Sequence, residues 1–182
     1  MALSLKPLAA LLPWHRKVPQ ADQLYGAIVA RARLPIFYQG FGVPDNLEGR
    51  YVVLSLHLFT VLHRLKQAGT PEAARMAQDV ADRFSADMET VLRELGVGDM
   101  AVPKKMRKLM ASGAGQLESF ESALSEGAGA LQSAIEATLP GEGEPSKAAS
   151  AALTPYVLRV VQHLDDKPIG GICAGKVSFP RI

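Results

Sequence analysis

Apolar residues recur at helical spacing through most of this chain. From 73 to 95, Ala73, Ala77, Val80, Phe84, Met88, Val91 and Leu95 follow at intervals of three and four, while Asp79, Asp82, Arg83, Glu89 and Arg93 mostly fall elsewhere. That pattern predicts a surface helix packed by one face. Thr70 offers an N-cap, Pro71 the first helical position, Glu72 an acid in the first turn and Gly96 a stop. Residues 48–67 read differently. Tyr51, Val52, Val53, Leu54, Leu56, Leu58, Phe59, Val61, Leu62 and Leu65 run nearly all the way round a helix, which predicts a buried central helix. Tyr51–Leu54 alone fits a strand, but the length of the segment decides for helix.

The same reading predicts helices over Ala21–Arg33, about Lys104–Ser125 (loosened by Gly113 and Gly115), Gly127–Leu139 and Lys147–Leu164, where Pro155 should start or kink the helix. Pro35–Asn46, with Gly40, Gly42 and Pro44, reads as a loop, yet it holds Ile36, Phe37, Tyr38, Phe41 and Val43. A loop this apolar packs on the body or presents a sticky surface. Asp45 is expected to cap the next helix or pair with Arg50. Residues 140–146, PGEGEPS, read as a flexible linker before a C-terminal helix and tail over 147–182, with one short strand expected at Val177–Phe179. The expectation is therefore an all-α fold: one domain over 1–182, about six helices, the 48–67 helix at its centre and a short extended tail.

Composition narrows the class. Aromatics are 6% of 182 residues, so the core is mainly aliphatic, which suits helix packing. The one cysteine, Cys173, excludes an intrachain disulfide and reads as a passive thiol. No apolar run reaches the ~20 residues of a membrane span. Met1–Lys17, with Lys6, Arg16 and Lys17 among leucines, lacks a secretory cleavage pattern and reads either as a packed terminal helix or as a segment touching a membrane surface.

Catalytic and metal chemistry find no constellation. His57 and His63, six apart, diverge by about 120° on a helix, and no Cys pair supports a metal. No dinucleotide fingerprint, P-loop or serine elbow is present, and the carboxylates fit a solvated face. No enzyme activity and no cofactor are expected.

Two features remain. Net charge is only +2, but residues 70–99 carry three basic and seven acidic groups, and 100–108 carry four basic and none acidic. Lys104, Lys105, Arg107 and Lys108 fall at the start of a helix, where each cation opposes the dipole by about 0.3–1 kcal/mol when exposed. They point to an acidic or phosphate-bearing partner, against a solvated face compensated by Glu94 or Asp99. Beyond Met1, the methionines are confined to Met76, Met88, Met100, Met106 and Met110, the residue type of adaptable apolar surfaces and, more commonly, of core filling. The expected binding surface is Phe37, Tyr38, Phe41 and Val43 with Met88, Met100, Met106 or Met110 as groove, and the four cations as rim.

Ala32-Arg33-Leu34-Pro35-Ile36-Phe37-Tyr38, then Gly42-Val43-Pro44-Asp45 and Gly49-Arg50, resembles the signature of the ubiquinol–cytochrome c chaperone family. A second stretch, Leu92-Arg93-Glu94-Leu95-Gly96-Val97-Gly98-Asp99 followed by Val102-Pro103-Lys104, resembles another, with His57 and Phe59 between them. The likeness covers about 20–125 well and the tail weakly. It implies a helical, non-catalytic assembly chaperone that binds newly made cytochrome b and supports biogenesis of ubiquinol–cytochrome c reductase. Mitochondrial members work with a small partner protein and associate with the ribosome. The short N-terminus without a presequence implies a bacterial member, cytoplasmic and peripheral to the inner membrane, as mitochondrial relatives are on the matrix side. Where the family has an aromatic segment after the basic cluster, this chain reads Met110-Ala111-Ser112-Gly113-Ala114-Gly115. The competing class is a ribosome- or RNA-binding factor using Arg31, Arg33 and residues 104–108, which steep salt dependence would reveal.

Overall fold

The computed structural model describes residues 19–182, so the Met1–Lys17 segment and His15 lie outside the described residues. Eight helices follow one another among the described residues: α1 (Pro19–Ala32), α2 (Ile36–Gln39), α3 (Leu47–Ala68), α4 (Pro71–Glu94), α5 (Val102–Glu126), α6 (Ala128–Glu136), α7 (Glu144–Asp165) and α8 (Ile169–Cys173). The fold is all-α, and Val177–Phe179 is extended without pairing as a strand.

α3 is the centre. It touches α1, α4, α5, α7 and α8, and buries Val52, Val53, Leu56, Leu58, Phe59, Val61 and Leu65, as an apolar girdle requires. Its start is capped by Asn46, whose side chain accepts from Gly49 N at 2.8 Å, and its end by Gly69 in the left-handed conformation. Asp45 instead pairs with Arg50 at 2.6 Å in solvent. The Arg50 guanidinium, by hydrogen bond and charge, holds the Asp45 carboxyl below its usual range.

α4 has its cap and stop where the pattern puts them. Thr70 Oγ1 accepts from Ala73 N at 3.2 Å, and Gly96 closes the helix with φ 78°. Ala73, Met76, Val80, Phe84 and Met88 are buried, but Leu95, in the same stripe, is 58% exposed. Beyond Met88 the stripe loses its cover, and the end of α4 with the start of α5 forms an arm.

Several boundaries differ from the sequence expectations. Pro35–Asn46 is not all loop: Tyr38 N and Gln39 N donate to Pro35 O, making the single helical turn α2. α5 runs without a break through Gly113 and Gly115. α7 starts at Glu144, inside the expected linker, with Ser146 buried and its hydroxyl donating to Gly141 O at 3.1 Å. Pro155 neither starts nor ends α7; it lies within the helix on an exposed face.

The apolar segment after α1 packs inward, with Phe37 at 0% and Val43 at 2% exposure. Its entry into α3 depends on a close approach. A Cβ on Gly49 would stand 2.0 Å from Pro44 O and 3.1 Å from Val43 Cγ1. Gly49→Ala is expected to cost about 2 kcal/mol through the forced backbone shift. The check is the urea midpoint at constant helix content, and an unchanged midpoint would show that the segment yields freely.

Candidate functional site

The family-like residues around His57 form a buried polar chain. His57 sits between Phe37, Tyr156 and Phe179, with ring centroids at 5.1, 5.5 and 5.4 Å. Its Nδ1 lies 2.7 Å from Val53 O and its Nε2 2.8 Å from Tyr156 Oη. A carbonyl can only accept, so Nδ1 carries the proton and Nε2 accepts from the tyrosine hydroxyl. Tyr156 Oη in turn accepts from Arg31 Nε at 3.0 Å, and Arg31 Nη2 donates to Pro180 O. Burial pushes the imidazole down to about 4, with the Arg31 charge adding to it, so this ring is neutral at pH 7. The chain fastens the C-terminal segment between α1 and α7. It is fully paired and enclosed, which makes it an architectural lock rather than a reaction centre.

Tyr38 donates to Ala32 O at 2.8 Å and carries Arg50 over its ring at 5.8 Å. Pro35, Gly42, Pro44, Asp45, Gly49 and Arg50 shape this same corner. Cys173 is buried and desolvation pushes its thiol up, away from the reactive thiolate.

The arm has a different chemistry. Asp99 and Glu89 both pair with Arg93, the latter at 2.8 Å, and Ala101 N donates to Gly98 O at 2.8 Å, turning the chain into α5 at Val102-Pro103. Val102 is buried and Met106, Leu109 and Met110 are half-buried, with Ser85 Oγ 3.1 Å from Met110 Sδ. Lys104, Lys105, Arg107 and Lys108 are all exposed, and none forms an ion pair among the described residues. Two residues on a helix are about 200° apart, so Lys104 and Lys108 face away from Met106 and Met110.

The structure therefore divides the surface expected from the sequence. Phe37 and Val43 are core, Phe41 and Tyr38 half-buried on the α7 side of α3, and Met88 is core under the arm. Tyr51, which lies against Phe84 and Gly113 toward the arm, is about 120° around α3 from His57. Met100 is 97% exposed at the arm's tip. The aromatic corner and the methionines do not form one groove, and the cations do not rim it.

A groove the sequence reading missed opens between α3 and α5. Phe59, Leu62 and Leu117 floor a space of about 490 Å³, walled by His63, Lys66, Glu118, Glu121, Ser122 and Ser125. His63 Nδ1 lies 3.0 Å from Glu121 Oε2, Gln67 Nε2 donates to His63 Nε2 at 2.7 Å, and Lys66 is 3.5 Å from Glu121. Desolvation pushes the Glu121 carboxyl up, but the hydrogen bond from His63 and the nearby Lys66 ammonium outweigh it and hold it low. The only sequence signal was Leu62, His63 and Leu117 at helical spacing from buried neighbours, which does not distinguish groove from core. No His, Cys, Asp and Glu cluster among the described residues could hold a metal, and no described helix is long and apolar enough to cross a membrane.

The body is all-α, with a buried polar chain around His57, an open groove of apolar floor and polar walls between α3 and α5, and an arm whose apolar and basic faces are separate. The sequence model of the "Ubiquinol-cytochrome C chaperone" family matches residues 39–179. The chain belongs to this family. It is also similar to the "Cbp3 homolog from Brucella abortus", whose crystal structure superposes with a TM-score of 0.80 at 37% identity over 90% of each chain. No curated protein matches the chain.

Proposed function

We propose that this chain is an assembly chaperone that binds newly made cytochrome b and supports biogenesis of ubiquinol–cytochrome c reductase, working at the membrane where that subunit is inserted. The observation that carries the reading is the family match across 39–179 together with the 0.80 superposition on the Cbp3 homolog. A mostly transmembrane client exposes apolar segments, so its chaperone needs an apolar surface that is not consumed by its own core. The α3–α5 groove and the half-buried α5 stripe of Met106, Met110 and Leu117 fit that need. Apolar burial supplies about 25 cal/mol per Å² before association costs are subtracted, and flexible methionines adapt to more than one segment. Phe37 and Val43 stay in the core, while half-buried Phe41 packs on Phe37 and Tyr156, and Tyr38 holds Ala32 O and Arg50.

The test is photocrosslinking in cells from a probe placed at Met106, at Leu117 or, as control, at exposed Ser133 of α6. Cytochrome b is expected as the dominant adduct from the first two and not from the third. Adducts of equal yield from all three positions, or none with cytochrome b, would remove this surface from the reading.

A further inference from the structure

We infer that the tip of the α4–α5 arm is a docking element for an anionic lipid surface. The inference deepens the proposed function by naming the face turned to the membrane, but it does not require cytochrome b to be the client. The tip combines two exposed features. One is apolar: Met100 is 97% and Leu95 58% exposed, with half-buried Val97 between them. The other is the outward face of α5, where Lys104, Lys105, Arg107 and Lys108 make no ion pair among the described residues. From Arg93 to Lys108 the chain holds five basic and two acidic residues, and one of those acids, Asp99, is already tied to Arg93.

Charge complementarity chooses the occupant. An anionic bilayer attracts juxtaposed lysines and arginines at the level of its phosphates, and it accepts apolar side chains just below that level. The tip presents both, with Met100 four residues before Lys104. RNA would satisfy the cations but leave Met100 and Leu95 in water. Its bases would also find no aromatic platform, because the chain has no Phe, Tyr, Trp or His between Phe84 and Phe120. The acidic groups of α4 orient the contact. Glu89 and Glu94 lie on the other limb of the arm, and Asp79, Asp82 and Asp87 further back on the same helix, where a negative surface repels them, so α5 rather than α4 turns to the lipid.

Flotation of the purified full chain with vesicles tests this, comparing phosphatidylcholine alone with phosphatidylcholine carrying phosphatidylglycerol. Wild type is expected to float only with the anionic vesicles, and less at high salt. Reversing two cations in Lys104→Glu/Lys105→Glu should weaken binding at least about tenfold. Leu95→Ser/Met100→Ser should weaken it about three- to tenfold at low and high salt alike. All four residues are exposed, so both variants keep the wild-type thermal midpoint, and that midpoint is measured alongside. A probe in Met100→Trp should shift its emission to the blue on anionic vesicles alone. Wild type that fails to float, or floats equally well after both double substitutions, overturns the inference. So does loss of binding only in the lysine variant with RNA displacing the vesicles, which would make the basic face an RNA contact. Because no cytochrome b is present, failure here leaves the crosslinking result standing, and the reverse.

Discussion

Leu58→Asp is expected to leave the chain unfolded in water at pH 7. Leu58 is 3% exposed on α3, the helix that touches five others. Losing the leucine side chain alone costs about 2–5 kcal/mol in a packed core. The carboxylate adds a desolvation cost of several kcal/mol unless it finds a partner. None waits for it. The polar neighbours His57 and Thr60 already have theirs, with Thr60 Oγ1 donating to His57 O at 2.8 Å, and no buried side-chain nitrogen or oxygen among the described residues is unpaired. Together the two losses exceed about 5 kcal/mol, which is the lower range of stability for a whole domain. Circular dichroism and size exclusion should show a disordered or aggregated chain, while Leu58→Met, nearly equal in volume, should lose less than about 1.5 kcal/mol. A monomeric Leu58→Asp protein with the wild-type melting midpoint would mean that α3 is not the core helix.

The ease of reading α3 and the difficulty of reading the rest have physical causes. Twenty residues of girdling hydrophobics and a 3.6-residue stripe with a Thr-Pro start are strong periodic signals. α2 and α8 are one turn each, and a single turn has no period to detect. Asn46 wins the cap of α3 over Asp45 because cap geometry is set by where the backbone turns, and Asp45 is left to Arg50. The amphipathic stripe of α4 shows which side is apolar but not how far its partner extends, so Leu95 follows the pattern and still meets solvent. The separation of Lys104 and Lys108 from Met106 and Met110 follows from helical geometry once the segment is known to be one helix. What no periodicity could reveal is contact across long stretches of chain: Arg31 to Pro180, His57 to Tyr156, and His63 to Glu121 at the edge of the groove. Apolar residues such as Phe37 and Met106 look alike in the sequence until the fold shows one in the core and the other half-buried on α5.

The contact between His57 and Tyr156 also sets a pH limit. Wild-type protein is expected to lose about 2 kcal/mol of stability between pH 7 and pH 5, beyond whatever a His57→Gln variant loses over the same range. In the unfolded chain the imidazole titrates at its ordinary value of 6.5, and in the fold burial holds it down at about 4. Between these two values the unfolded state binds the proton and the folded state does not, so stability rises with pH across the window and falls as acid is added. Above 6.5 both states are neutral and the term vanishes; below about 4 both are charged and the loss levels off near 3 kcal/mol. The structural reason is that both ring nitrogens are committed. Nε2 must accept from Tyr156, whose hydroxyl is pushed up by desolvation and stays protonated, and Arg31 sits behind it, so an imidazolium would put two donors and two cations against one oxygen. Urea midpoints at pH 7, 6 and 5 for both proteins give the difference directly, and ending at pH 5 avoids most carboxylate titration. His57→Gln should be less stable than wild type at pH 7, because its amide replaces the ring imperfectly between Phe37 and Phe179, but the gap should narrow as the pH falls. Parallel pH profiles for the two proteins would mean that His57 protonates without cost, and that the neutral lock holding the tail to α1 and α7 does not exist.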